Sequence, residues 1–158
     1  MIVSDESRIA AAQAYIDALV SHDGDAVPFA DRCTRVEQGV KNGFSGKHLR
    51  RSLNRGPQYR VIVDATPPDC RIVGDEVHAT YDVLTKAKFG RRRIAARVNE
   101  TFVIPAESPS GQAQIHHIKV RFRPFVQHRP ATLQPAQRGE KEPGNPAPPG
   151  DVAARAAG

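Results

Sequence analysis

The sequence predicts an α+β domain in which N-terminal helices cover one face of a curved antiparallel sheet. Three observations predict it. An apolar stripe at helical spacing, Ile9, Ala12, Ile16, Leu19 and Val20, opens the chain. From Tyr59 onward the hydrophobic pattern has period two, the signature of strands. Helical patterns first and a meander of strands after them indicate an α+β domain.

The elements follow in order. Ser4 or Asp5 caps the first helix, which ends near His22, before the Asp23-Gly24 break. A short second helix is expected from Asp25 to Phe29. Thr34 to Gln38 is expected as a short strand with Val36 and Gln38 facing inward and Arg35 and Glu37 outward. The stretch GVKNGFSG is loop. Lys47 to Arg55 makes a third helix, with Leu49 and Leu53 on one face and Gly56-Pro57 as its stop. Strands are then expected at Tyr59–Ala65, Cys70–Val73, Val77–Thr85, Arg92–Ile104 and Gln112–Phe125, with turns at Gly74-Asp75 and Phe89-Gly90.

Glu100 carries the strongest functional signal. The even positions of its strand are Ile94, Ala96, Val98, Glu100, Phe102 and Ile104, so a single carboxylate lies on an otherwise apolar face. A buried, unpaired carboxylate is costly and responds by taking up a proton. In the last strand Gln114, His116, Ile118, Val120 and Phe122 share one face. The short connecting loop allows His116 to lie opposite Glu100 or diagonal to it. A buried Glu–His pair and a ligand-facing acid and imidazole are both consistent with this pattern. Tyr15 sits at the edge of the first stripe, one turn before Leu19, with its hydroxyl free to face the space between helix and sheet or only the core boundary.

Composition narrows the class. A chain of 158 residues suits one domain, and the segment 127–158, rich in Pro, Gly and Ala, is expected to be a disordered tail after a domain of residues 1–126. No stretch approaches the roughly 18 apolar residues of a membrane span, and the N-terminus resembles no signal sequence. The expectation is a cytoplasmic protein. Cys33 and Cys70 show neither CxxC nor metal-ligand spacing, so they are expected as inert packing thiols, and no metal or cofactor is indicated. The formal charge of +6 permits an anionic partner. Arg91, Arg93, Arg97 and Lys119, Arg121, Arg123 form outward ladders, and Arg50, Arg51 and Arg55 line the third helix. A solvated basic face is one explanation and a site for nucleic acid or another polyanion the other. No aromatic residues interleave to stack bases.

The stretches AYIDALVSHDGDAVPFADRCTRVEQG, GKHLRRSL, ARVNETFVI and HIKVRF resemble the nuclear-transport-factor-2-like superfamily, in particular ketosteroid isomerase and SnoaL-like cyclases. The resemblance spans about residues 8–125 and implies a cone, a bent sheet wrapped around helices and open at one end to a pocket. It implies a pocket for a small apolar, polyketide-like or steroid-like molecule, isomerase, cyclase or dehydratase chemistry without a metal, and a homodimer. A non-catalytic binding or dimerisation domain of the same fold is the alternative. By position, Tyr15 and Glu100 match a pair of oxyanion donors, and Gln38 falls where the isomerase has its aspartate base. His116 then becomes the candidate proton carrier, and Gln38, Tyr59, Ile118, Val120 and Phe122 the candidate binding residues.

Overall fold

The computed structural model describes residues 1–128. Helix α1 spans Asp5–Ser21. Ser4 caps it by accepting from the Ser7 N–H, Asp5 and Glu6 favour the positive end of its dipole, and left-handed His22 (φ 59°) returns its N–H to Ala18 O. Ala12, Tyr15, Ile16 and Leu19 are buried, as is Arg8. Arg8 pins the start of the helix to the sheet: Nε donates to Ile104 O at 2.8 Å and Nη2 to Gly74 O at 2.6 Å.

Only a 3-10 turn, Gly24–Ala26, stands where a helix to Phe29 was expected. Pro28 explains it, because a residue before proline avoids the helical region and Val27 is extended. The strand then begins early. β1 runs Phe29–Glu37 and forms a hairpin with β2 (Val40–Gly43), drawn from the segment expected as loop. Gln38 (φ 50°) and Gly39 (φ 81°) make the turn. Helix α2, Gly46–Arg55, is capped by Ser45 and buries Leu49 and Leu53. Pro57 does not end the helical region; it starts a short helix α3, Pro57–Arg60, at the position where a missing N–H costs nothing. Tyr59 is therefore helical, and β3 is only Ile62–Ala65. β4 (Asp69–Val73), β5 (Glu76–Phe89), β6 (Arg92–Val103) and β7 (Ile115–His128) complete the chain.

The strand order is β2-β1-β7-β6-β5-β3, with β4 sharing the β5 edge. All pairs are antiparallel except β1 and β7, which run parallel, so the sheet is mixed and not wholly antiparallel. That pairing joins the first strand to the last, a contact no local pattern encodes. α1 packs on β3 and β5 and α2 on β1, which places the helices inside a curved, unclosed sheet. The α+β cone is the fold the sequence implied. Tyr15 anchors the core with edge-on contacts to Phe102 (centroids 5.4 Å apart) and Phe29 (6.1 Å). Among the described residues no helix is long and apolar enough to cross a membrane. The expected tail lies outside the described residues, except that Gln127 and His128 continue β7.

Candidate ligand pocket

A cavity of about 290 Å³ opens between α1, α3 and the inner face of β1, β5, β6 and β7. Most of its wall is apolar: Leu19, Val61, Ile62, Val83, Val98, Val120 and Phe122. Eight lining residues carry polar groups but give little of the wall: Tyr15, Arg35, Glu37, Gln58, Tyr59, Tyr81, Thr85 and Glu100. An apolar concavity with a small convergent polar set is the usual form of a small-molecule site, and this one lies at the lower end of the roughly 300–1,000 Å³ typical of such sites.

Glu100 projects inward because β6 keeps its alternation from Ala96 to Phe102. Its exposure is 2%. Tyr81 stands diagonally across the β5–β6 ladder, where Ala79 pairs with Glu100 and Tyr81 with Val98, and its Oη donates to Glu100 Oε2 at 2.5 Å. Burial raises the Glu100 carboxyl from its ordinary 4.5 to about 7, opposed by the Arg35 charge and the Tyr81 hydrogen bond and assisted by Glu37. The acid is thus poised to hold or release a proton near neutrality.

Tyr15 is 1% exposed, and among the described residues its Oη has no hydrogen-bond partner. Burial raises its pKa well above 10, although the nearby Arg35 charge pulls it down, so the hydroxyl stays protonated and available as a donor. Arg35 is buried yet remains charged; burial works against the cation, and the carboxylate of Glu37, with Glu100 when ionised, offsets that effect. Its Nη1 donates to Glu37 Oε2 at 2.8 Å, and Asn42 Nδ2 donates to the same oxygen at 2.5 Å. The guanidinium carbon lies 5.6 Å from the Tyr59 ring centroid. Gly43, paired with Arg35 across the hairpin, permits this packing: a Cβ there would sit 2.6 Å from Arg35 Cβ.

The pocket brings together Tyr15, Tyr59, Glu100, Val120 and Phe122 of the residues singled out from sequence. Ile118 is fully buried in the core beside it. Two residues lie elsewhere. Gln38 is exposed in the β1–β2 turn, donating through Nε2 to Phe122 O at 2.9 Å. The register on β7 sets the β1 phase: Arg35 lies beside Ile118 and Glu37 beside Val120, so these two face inward in place of Val36 and Gln38. His116 is exposed. Glu100 pairs with Val120, and the alternation of β7 slips near its start, where Ile115 and Ile118 both point inward. The slip accompanies an irregularity between the Phe29–Ile115 and Thr34–His117 pairs. Its neighbour His117 instead meets Thr34 Oγ1 at 2.7 Å.

Arg35, Glu37 and Tyr81 were missed. Tyr81 was visible in principle, since Val77, Ala79, Tyr81 and Val83 alternate as an apolar face. Arg35 and Glu37 gave no such signal. Among the described residues no three His, Cys, Asp or Glu side chains converge to hold a metal ion.

This architecture defines the chain as a protein of the nuclear-transport-factor-2-like fold with an inner pocket. Solved structures of similar fold include an LEH-like epoxide hydrolase of M. tuberculosis (TM-score 0.56, 19% identity, 75% of this chain and 84% of that one). A nuclear-transport-factor-2-like protein of unknown function from Burkholderia xenovorans LB400 gives TM-score 0.52 at 18% identity, over 75% and 84% of the two chains. The hexachlorocyclohexane dehydrochlorinase LinA-type3 of Novosphingobium barchaimii LL02 gives 0.51 at 18%, over 79% and 94%. At these identities the likeness concerns the fold. No curated protein matches the sequence. The chain belongs to the family described as a domain of unknown function, DUF8021, whose model matches residues 3–122.

Proposed function

We propose that this protein binds a small, largely apolar molecule carrying one carbonyl-type oxygen and converts it by proton transfer, as an isomerase, cyclase or dehydratase does. The observation that carries the reading is the buried Glu100, raised to about 7, sharing a cavity with the unpartnered Tyr15 hydroxyl. Ionised Glu100 takes a proton from a carbon next to the carbonyl. The resulting enolate oxygen accepts from Tyr15 Oη, and the fixed Arg35 charge favours the negative charge that develops. Protonated Glu100 then returns the proton to the same or a conjugated carbon.

Tyr81 defines the role of Glu100. By donating to Oε2 it favours the ionised acid, which suits a proton carrier better than a permanently neutral donor. No imidazole is needed, and His116 has no part in this scheme. A non-catalytic binding domain is the alternative, and the lack of a carboxylate at Gln38 supports it; Glu37 stands on the cavity wall instead, held by Arg35 and Asn42.

The test is deuterium incorporation from D2O into a panel of small β,γ-unsaturated cyclic ketones, followed by NMR. Glu100→Gln is expected to lower exchange by about 10²–10⁴-fold and Tyr15→Phe by about 10²–10³-fold. Wild-type exchange rates in a folded Glu100→Gln variant would rule out Glu100 as the carrier.

A further inference from the structure

The outer face of the sheet, behind Glu100, holds a second concavity of about 320 Å³. Two rungs of the ladder form it. Arg71, His78, Thr101 and Lys119 lie abreast across β4, β5, β6 and β7, and Thr80, Asn99 and Arg121 lie abreast in the next rung. Arg71 and Lys119 are separated by three strand spacings, about 14 Å, which two long side chains can close from opposite sides. Lys119 and Arg121 stand about 7 Å apart on one strand. Among the described residues none of Arg71, Lys119 and Arg121 has a carboxylate partner, whereas Arg97, two residues from Asn99 on the same face, is paired with Asp82. Between the cations lie the His78 imidazole, held at 2.8 Å by Glu76, and uncharged donors and acceptors: the Thr80 hydroxyl, which donates to Asn99 Oδ1 at 3.0 Å, the Thr101 hydroxyl and the Asn99 amide.

The geometry points to a binding site for a phosphate group carried by a small molecule, with Arg71 and Arg121 offering guanidinium forks and Lys119 a point charge. Three like charges set around a polar floor repel one another, and an oxyanion between them relieves that repulsion. The borders argue for a closed site over a track for a long polyanion. Asp69 lies beside Thr80 at the β4 edge, Glu76 binds His78 at 2.8 Å one rung away, and Asp82 occupies the rung beyond Asn99. A nucleic acid crossing the face toward β4 and β5 would meet these carboxylates, and along β7 the cluster continues only into Arg123, abreast of the Asp82-paired Arg97. The site is separate from the inner pocket and does not depend on its chemistry.

The test uses the full chain and inorganic phosphate at constant ionic strength, with chloride as the control, read from backbone amide NMR shifts. Saturable shifts are expected at Arg71, Asn99, Thr101, Lys119 and Arg121. Arg121→Ala and Lys119→Ala should each weaken binding roughly tenfold, and Arg121→Lys should recover part of the loss. Arg97→Ala should leave affinity unchanged. The assignment is overturned if phosphate shifts no amide in this cluster, if Arg97→Ala weakens binding as much as Arg121→Ala, or if heparin binds there while phosphate and a phosphate monoester do not.

Discussion

Tyr81 Oη donates to Glu100 Oε2 at 2.5 Å from the adjoining strand, and this bond opposes the burial that drives the carboxyl upward. Phe at position 81 would remove the donor without opening space. The Glu100 pKa is then expected to rise further above about 7, with stability falling by about 1 kcal/mol. Carbon-13 titration of the Glu100 carboxyl in Tyr81→Phe measures it; an unchanged midpoint would mean the bond does not tune the acid.

Glu100 also makes stability depend on pH. Its ordinary value is 4.5 and its folded value about 7, so the native state binds this proton more tightly than the unfolded chain. Between those values the unfolded state holds fewer protons, and stability falls as pH rises. The contribution is complete below about pH 4.5 and lost on passing about 7, a difference of about 3 kcal/mol. Glu100→Gln should therefore flatten the decline. Denaturant unfolding of both proteins at pH 5 and pH 8.5 checks it, with the variant gaining on the wild type at the higher pH.

Gly43 sets how closely the hairpin approaches Arg35. A Cβ at 43 would lie 2.6 Å from both Arg35 Cβ and Leu49 Cδ2. Gly43→Ala is expected to cost about 1–3 kcal/mol by overpacking and to displace Arg35 from Glu37. Ala at Gly39 meets no neighbouring atom and suffers only from its positive φ of 81°. Melting curves should rank Gly43→Ala below Gly39→Ala.

Arg8 is a structural cation. Arg8→Met keeps apolar bulk but leaves Ile104 O and Gly74 O without their donor, for an expected loss of about 2–4 kcal/mol. Hydrogen exchange should show the loss as faster opening of the α1 N-terminus against the β4–β5 turn.

His116 supplies the contrast. It is exposed and does not line the pocket, so His116→Ala should change neither stability beyond about 0.5 kcal/mol nor ketone exchange. A large loss of exchange in this variant would restore the imidazole to the mechanism.

How much of the site was readable follows from which contacts are local. Glu100 was legible because one acid interrupts an even-numbered apolar face within a single strand, and pleating alone sends alternate side chains to opposite faces. Tyr15 was legible for the same kind of reason, from helical periodicity around Leu19. Arg35 and Glu37 were not. The stretch around Val36 has no apolar alternation strong enough to set its own phase, and the parallel register on β7 sets it instead. His116 failed through a slip of alternation near Ile115, which costs little at a strand end and leaves no trace in composition.

By itself, then, the sequence determined the class of fold, the buried acid and the tyrosine that faces it, because helix and strand periods act over a few neighbouring residues. Only the tertiary structure decided which cation and second carboxylate join them and which histidine does not. Those choices depend on the pairing of β1 with β7, strands about 80 residues apart, where a shift of one residue exchanges every inward side chain for its outward neighbour.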